Sequence, residues 1–417
     1  MTNDARLRDA PWLRNGEVAR LLAALGCDGE EARVVGGAVR NALLRLSVDE
    51  IDVATTALPE EVVRRVEAAG WKAIPTGIDH GTVTVIIDGK PFEVTTLRQD
   101  VETYGRKAKV VFGRDWRTDA ERRDFTINAL SATADGRIYD YVGGVADIAA
   151  RRVRFIGEPA TRVAEDYLRI LRFFRFHAWY GQGHPDAAGL HACILARAGL
   201  ETLSSERVRM ELLKLLLAPH ATPTLAVMAE TGILGAVLGG VPLLASFENA
   251  VKAEAAMGFS ADAVRRLGAL AVTVKEDGER LGQRLRLSNA EAERLVALEH
   301  WWRVLPAAGE QAAHALLYHL GPQSFTDRVL IAWSRSAGGA ADRAWHKLAN
   351  LPQRWTPPKF PLKAANFLDR GLAAGPALGA AMRAAEGAWI AADFPAERDA
   401  LDAIADRVVR DVVTTSS

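Results

Sequence analysis

The chain has 417 residues, 52 Lys and Arg against 52 Asp and Glu, and a formal net charge of zero. That length exceeds one compact core and predicts two to four domains, and the even balance excludes bulk charge as the sign of a nucleic-acid partner. Apolar content of 49% and charged content of 25% are those of a soluble globular protein.

In chain order, the apolar pair Val34-Val35 runs into Gly36-Gly37, and a helix is predicted over 38–46. Glu50 and Asp52 follow on a predicted strand. Glu60 to Ala69 reads as a helix after Pro59 that stops at Gly70. TVTVII (82–87) and FEVTTL (92–97) are β-rich runs around Asp88-Gly89, a hairpin signal. Residues 98–120 are charged and irregular and predict a mobile loop, and order resumes at Ile127 to Ala132. From Arg151 onward Ala, Leu and Arg dominate and helical periodicity persists almost to the end. Ser288-Asn289-Ala290-Glu291 is a capping box, and Pro357-Pro358 and Pro361 set off a last segment. The expected architecture is α+β: a head with a mixed sheet over 1–150, a helical neck over 151–220, and a helical body and tail over 221–417. Cys27 and Cys193 lie in apolar, helical-looking contexts without CxxC or His spacing, which predicts reduced thiols and a cytoplasmic setting. The N-terminal stretch is unlike a signal or transit peptide. No apolar run reaches bilayer-spanning length, and no obligatory protein partner is evident.

Chemistry concentrates in four places. Glycines at 36 and 37 let backbone N–H groups approach a phosphate at a helix N-terminus, and Arg40 adds a guanidinium fork. An ordinary strand-to-helix turn would explain the glycines alone, but not Arg40 and the carboxylates after them. Glu50 and Asp52, two apart on a strand, point to one face and repel unless they share a cation. Oxygen ligands of this kind favour Mg²⁺ together with substrate phosphates. Glu93 on the FEVTTL strand is the candidate third carboxylate, weighed evenly against a solvated strand charge. Asp49 would face away from Asp52.

Arg122, Arg123 and Asp124, followed by Asn128, suit a triphosphate grip with Asp124 accepting from a ribose hydroxyl; a helix-start cluster with Asp124 as N-cap is the plainer alternative. Asp166, Arg169, Arg172 and Arg175 step by three along a predicted helix face, and a solvated basic stripe is the bland reading, most of all for Arg175. Asp166 and Arg169 make a plausible base-reading pair: the carboxylate accepts from an exocyclic amine and the guanidinium donates to a ring nitrogen or carbonyl. Cytosine and adenine both show that edge. Uracil and guanine present mismatched groups, and a buried polar pair left unsatisfied discriminates strongly. Arg151 and Arg152, with Arg154 and Arg162, are candidates for tracking an RNA backbone. Trp301-Trp302 is expected in a core.

The ordered set VVGGAVRNALL…EIDVATT, TGIDHGTVTV, FEVTTLR, RRDFTINAL, DYVGGVADI, RVAEDYLRILRFFRF and SSERVRMELLKLL resembles the bacterial class II tRNA nucleotidyltransferases, the CCA-adding enzymes, and the related bacterial poly(A) polymerases. The resemblance spans about residues 33–218. It implies a head of the DNA polymerase beta superfamily, Mg²⁺ at Glu50 and Asp52, triphosphate and ribose contacts from the RRD segment, and base selection by Asp166 with Arg169. It implies that the loop between Arg98 and Arg122 helps switch from CTP to ATP. Two positions depart from the family pattern: Glu50 stands where Asp is usual, and Asn41 where Asp follows the arginine of the glycine motif. No His-Asp doublet of the phosphohydrolase type occurs in the C-terminal half. The expected activity is template-independent addition of CCA to tRNA 3′ ends from CTP and ATP. The alternatives are poly(A) polymerase, CC-only or A-only addition, or a non-catalytic RNA-binding protein on a decayed head.

Overall fold

Strand formation follows from alternating burial. In β5 (Thr82–Ile87), Val83, Val85 and Ile87 are buried while their neighbours face outward, the pattern of a sheet covered on one face. The computed structural model that shows this describes the chain except Met1, residues 4–6, Arg8, Asn15, Ile78, Asp79, Gly105, Arg106, Ser416 and Ser417; Thr2, Asn3, residues 99–110 and Thr415 are described by backbone alone. The Ile78-Asp79 part of the TGIDHG motif therefore lies outside the described residues.

An eight-stranded sheet is assembled from β1 (Thr2–Asn3), β2 (Ala32–Val35), β3 (Asp52–Thr55), β4 (Lys72–Gly77), β5, β6 (Lys90–Thr96), β9 (Ser131–Ala132) and β10 (Arg137–Tyr139), in the order β1-β10-β9-β2-β3-β6-β5-β4. β3 and β6 run parallel and the other pairs antiparallel, so the sheet is mixed. The expected hairpin is present: Ile87 pairs with Lys90 across Asp88 (φ 50°) and Gly89 (φ 79°), the positive pair that a two-residue hairpin turn requires.

The described residues of 98–120, a segment expected to be irregular, form regular elements. β7 (Arg98–Tyr104) and β8 (Lys107–Phe112) pair as a separate antiparallel hairpin. Helix α4 (Trp116–Glu121) follows, after α1 (Glu17–Leu25), α2 (Gly37–Leu44) and α3 (Pro59–Ala68). Asp115 caps α4 by accepting from the Arg117 and Thr118 amides. That N-cap and the β-branched run Val110-Val111 outweigh the charge density that suggested a loop.

Contacts divide the chain once, into Met1–Gly240 and Val241–Ser417, so the helices expected as a neck share a compact unit with the sheet. In that first unit α5 (Gly144–Ala149) is followed by α6 (Pro159–Glu165), α7 (Leu168–Tyr180), α8 (Ala187–Leu195), α9 (Ser205–Leu216) and α10 (Ala221–Glu230). α7 packs on α9 and α10. Fully buried aromatics hold α7: Phe173 stacks on Phe155 with ring centroids 5.3 Å apart, and Phe155 meets Phe125 at 4.9 Å. Cys193 is buried in α8, whereas Cys27 is exposed in the turn after α1.

The second unit is helical. Its buried ion pairs join Glu254 to Arg265 at 2.7 Å and to Arg266 at 2.8 Å, and the Ser288–Glu291 capping box forms as expected. The tryptophan pair does not sit wholly in a core. Trp301 packs beside a buried cluster with Arg335 over its ring, but Trp302, edge-to-face against Trp301 with ring centroids 6.0 Å apart, is 48% exposed. Among the described residues no helix is long and apolar enough to cross a membrane.

Phe173→Ala is expected to lower stability by about 3–5 kcal/mol, the usual range for emptying a buried aromatic site, measured by denaturant unfolding of the full chain.

Candidate active site

The site is assembled at one end of the sheet. Val35 pairs with Asp52, and Asp52 lies directly across from Glu93 on the parallel neighbour. Gly36 follows Val35 and turns the chain into α2 with φ 67°. The positive φ favours glycine there, and a Cβ at Gly36 would stand 3.3 Å from Arg123 Nη1, asking that side chain to shift slightly.

Glu50 differs from expectation. β3 starts at Asp52, so Glu50 lies in the irregular approach to the strand and strand alternation does not fix its direction. It is still near enough to act on Asp52. The Asp52 carboxyl is raised above the usual range, first by desolvation, then by the Glu93 carboxylate, with Glu50 adding and Arg123 opposing. Asp52, Glu93 and Glu50 make no ion pair or side-chain hydrogen bond to another described residue, whereas Asp49 accepts from Ser47 Oγ at 3.0 Å. Among the described residues no three acidic, histidine or cysteine side chains converge closely enough to enclose an ion. The donor set is thus two carboxylates in register, with a third that raises their cost. That chemistry fits a hard cation, which would relieve the repulsion.

Asp52, but neither Glu50 nor Glu93, lines a cavity of about 420 Å³ together with Gly36, Gly37, Arg40, Arg123, Asp124, Asn128, Asp166, Arg169, Arg172 and Phe176. Arg40 is buried among neutral acceptors: Asn128 Oδ1 at 2.5 Å, Asn41 Oδ1 at 2.8 Å, and the hydroxyl of Tyr180 at 2.8 Å, whose ring lies 3.9 Å from the guanidinium. Arg123 donates to Asp119 at 3.2 Å and to the Asn128 carbonyl at 3.3 Å. Asp124 accepts from Arg172 Nε at 2.8 Å and from the Phe125 amide at 2.8 Å. Burial would raise the Asp124 carboxyl, but the Arg172 guanidinium outweighs it and holds the group below its usual range. The 3₁₀ turn Thr126–Asn128 takes no side-chain cap, so Asp124 is an ion-pair partner of α7 and not an N-cap.

The predicted run of Asp166, Arg169, Arg172 and Arg175 along one helix is interrupted. α6 ends at Asp166, which is extended (φ −159°, ψ 108°), and α7 begins at Leu168. The break gives Asp166 two jobs: it accepts from the Leu168 amide at 3.1 Å and from Arg207 at 2.6 Å. Arg169 pairs with Glu165 and donates to the Arg162 carbonyl at 2.7 Å. Arg122 and Arg175 are not among the lining residues. Arg122 donates to Asp119 at 2.8 Å, and Arg175 pairs with Glu211, which is 2% exposed. Nor do Arg151 and Arg152 reach the cavity. Arg152 pairs with fully buried Asp147 at 2.5 Å, as Arg154 does at 3.0 Å, while Arg151 lines a separate cavity with Arg45.

Sequence reasoning missed Phe176, which lines the cavity, and four groups outside the lining: Asp119, Glu211, Arg207 and Tyr180. A signal existed for Glu211, a lone carboxylate within the apolar positions of α9 beside Leu212, Leu215 and Leu216.

Carboxylates in register at the end of a mixed sheet, opposite arginines and a glycine turn, define a nucleotidyl-transferring head. Residues 32–154 match the family described as Poly A polymerase head domain, and residues 191–247 the one described as a probable RNA and SrmB-binding site of polymerase A. The chain is 34% identical over 383 residues to the mitochondrial CCA tRNA nucleotidyltransferase 1 of Danio rerio, covering 89% of this chain and 86% of that protein. It is 33% identical over 370 residues to a CCA-adding enzyme of Limosilactobacillus fermentum, covering 85% and 87%. The solved CCA-adding enzyme of Bacillus stearothermophilus in complex with CTP aligns with a TM-score of 0.77 at 28% identity, over 96% of this chain and 98% of that one. The chain belongs to the CCA tRNA nucleotidyltransferase family.

Because the folded-state pKa of Asp52 is raised above its ordinary value of 3.8, the ionised group costs stability as pH climbs from the unfolded pKa through the folded one. In chelator, Asp52→Asn is expected to melt higher than wild type at neutral pH, and the gain should vanish below pH ~3, where both states are protonated; thermal unfolding against pH measures it.

Proposed function

We propose that this protein adds C, C and A, without a nucleic-acid template, to the 3′ end of tRNA from CTP and ATP. The observation that carries the reading is that Asp52 and the base-edge candidates Asp166 and Arg169 line one cavity, with Gly36, Gly37, Arg40 and Arg123 on the same wall system. The family relatives named for this activity support it, as does the likeness to an enzyme in complex with CTP. In the reaction, the terminal ribose hydroxyl attacks the α-phosphate in line, one P–O bond forms, the bond to the β-phosphate oxygen breaks, and pyrophosphate leaves.

Asp52 and Glu50 would hold Mg²⁺, with Glu93, in register beside Asp52, as the candidate third carboxylate. When bound, the metal supplies charge neutralisation at the transferring phosphate and lowers the pKa of the attacking hydroxyl. Arg40 and Arg123 orient the triphosphate through charge-assisted donors, and the backbone amides at Gly36 and Gly37 approach it closely. Asp124, whose two oxygens accept from Arg172, the Phe125 amide and Asn128, would accept from the ribose by exchanging the longest of these donors, Asn128 at 3.3 Å. Asp166 and Arg169 read the amino-plus-acceptor edge common to cytosine and adenine, and Arg172 and Asn128 keep Asp124 and Arg40 in place. Arg122 and Arg175 support the site from behind. Arg151 and Arg152 are weaker candidates for RNA contact, Arg152 because its charge is committed to Asp147. The β7–β8 hairpin stands where the resemblance puts the CTP-to-ATP switch. A cytoplasmic setting is part of the same proposal.

The test offers a tRNA lacking its last three nucleotides with Mg²⁺ and CTP, ATP, both, UTP or GTP, and reads product 3′ ends by mass. Growth by CCA and then arrest is expected. A long run of A, addition of CC or a single A alone, or tRNA binding without growth would each overturn it. Asp52→Ala and metal removal should each abolish addition while tRNA affinity stays within about threefold, since a metal ligand contributes little to phosphate-backbone binding. Asp166→Ala or Arg169→Ala should cut the preference for CTP over UTP by about tenfold or more, measured as the ratio of kcat/KM values.

A further inference from the structure

Arg162 stands among the basic residues that the sequence suggests for RNA contact, yet its side chain is only 13% exposed and faces inward. Its Nη2 donates to two consecutive backbone carbonyls, Arg122 and Arg123, each at 2.5 Å. Its Nη1 donates to Glu165 Oε2 at 2.6 Å. That same carboxylate oxygen holds Arg169, and Arg169 also donates to the Arg162 backbone carbonyl at 2.7 Å. The remaining donor, Nε, is buried with no acceptor among the described residues. A long cationic side chain is thus kept dry with one donor unsatisfied, a cost that a surface conformation would avoid.

The two ends of this link are different walls of the cavity. The carbonyls belong to the segment that carries Arg123 and Asp124. Glu165 and Arg169 belong to the α6–α7 junction, where Asp166 also sits. No other side chain described above touches both Arg123 and Arg169 through so few bonds.

We propose that Arg162 is a positioning residue that fixes the spacing between the base-reading wall and the triphosphate wall, and so makes reaction rate depend on base identity; this rests on the activity given under Proposed function. A cognate base drawn onto Asp166 and Arg169 then finds its triphosphate aligned with Arg123. A non-cognate base, displaced from that edge, carries the misalignment through the rigid link to the α-phosphate. Arg162 touches neither nucleotide nor metal. The contrasting role, a bolt that only fastens α6 to the head, predicts lower stability and equal loss for every nucleotide.

The experiment compares wild type, Arg162→Gln and Arg162→Lys in single-nucleotide addition to tRNA lacking CCA, with kcat and KM for CTP and UTP determined separately, and melting temperatures taken on the same samples. In Arg162→Gln, kcat for CTP is expected to fall with little change in KM. The CTP-to-UTP ratio of kcat/KM should fall about tenfold, a coupling of the size found within one hydrogen-bond network. Arg162→Lys keeps a cationic donor for the carbonyls but loses the fork to Glu165, and should recover part of that ratio. Active variants in which CTP and UTP decline by the same factor, or whose ratio is unchanged, overturn the proposal. If Arg162→Gln does not fold, Arg162→Lys decides alone, with an unchanged ratio overturning the link. Absence of addition by wild type overturns the activity itself, a result distinct from unchanged discrimination by an active variant.

Discussion

The site depends on holding arginines still in a half-buried cavity before any anion arrives. A guanidinium taken out of water is tolerated only with partners that satisfy its donors; here Asp119, Glu165 and Glu211 are not among the cavity-lining residues, and Asp124 is. Arg123 leans on Asp119, which is 3% exposed, and Arg172 on Asp124 and, at 3.6 Å, on Glu211. Arg169 leans on Glu165. Each buried carboxylate is in turn gripped by a second arginine: Asp119 by Arg122 and Glu211 by Arg175. Removing one member would strand the other's charge, so these pairs set geometry more than they add stability. Groups held this way need no reorganisation when charge develops on a phosphate, which is the condition under which electrostatic stabilisation is strongest.

The carboxylate side of the cavity follows the opposite rule. Asp52 and Glu93 face each other across parallel strands with no cationic partner in contact, and the sheet forces them together through backbone register. Arginines are paired and carboxylates are left in mutual repulsion. A cation bound beside Asp52 would relieve that repulsion and supply positive charge toward a phosphate.

Much of this was legible in the sequence because it is local. The double glycine before a helix, the Asp88-Gly89 hairpin, and the RRD segment all declare themselves within a few residues, and the motif set brought the cavity-lining residues together by resemblance. What was not legible depends on which faces meet. By spacing Arg122 is equivalent to Arg123, and Arg175 reads most plainly as a solvated charge, but α4 and α9 bring Asp119 and Glu211 to them. The break at Asp166 carries no Gly or Pro; it is an extended aspartate whose carboxylate accepts from the Leu168 amide, and periodicity reads straight through it. Arg162 looked like a surface charge because sequence shows composition and not the backbone carbonyls that α6 meets.

Arg40 makes the last distinction. Its contacts within hydrogen-bond reach are Asn128, Asn41 and Tyr180, all neutral. Burial lowers its pKa, with Tyr180 and the more distant Asp124 opposing that and Arg175 adding to it. Arg172 and Arg169 spend part of their field on a carboxylate in contact; Arg40 does not. At the position where the resemblance leads one to expect Asp, Asn41 accepts from Arg40 Nε at 3.1 Å and Nη2 at 2.8 Å through one oxygen while adding no negative charge, and its own amide donates to the Ser47 carbonyl at 2.9 Å. The glycine turn is therefore followed by a cation that is oriented but not neutralised. In a cavity that already holds Asp52 and Asp124, that residual positive charge is the feature of this wall most directly suited to drawing in a polyphosphate.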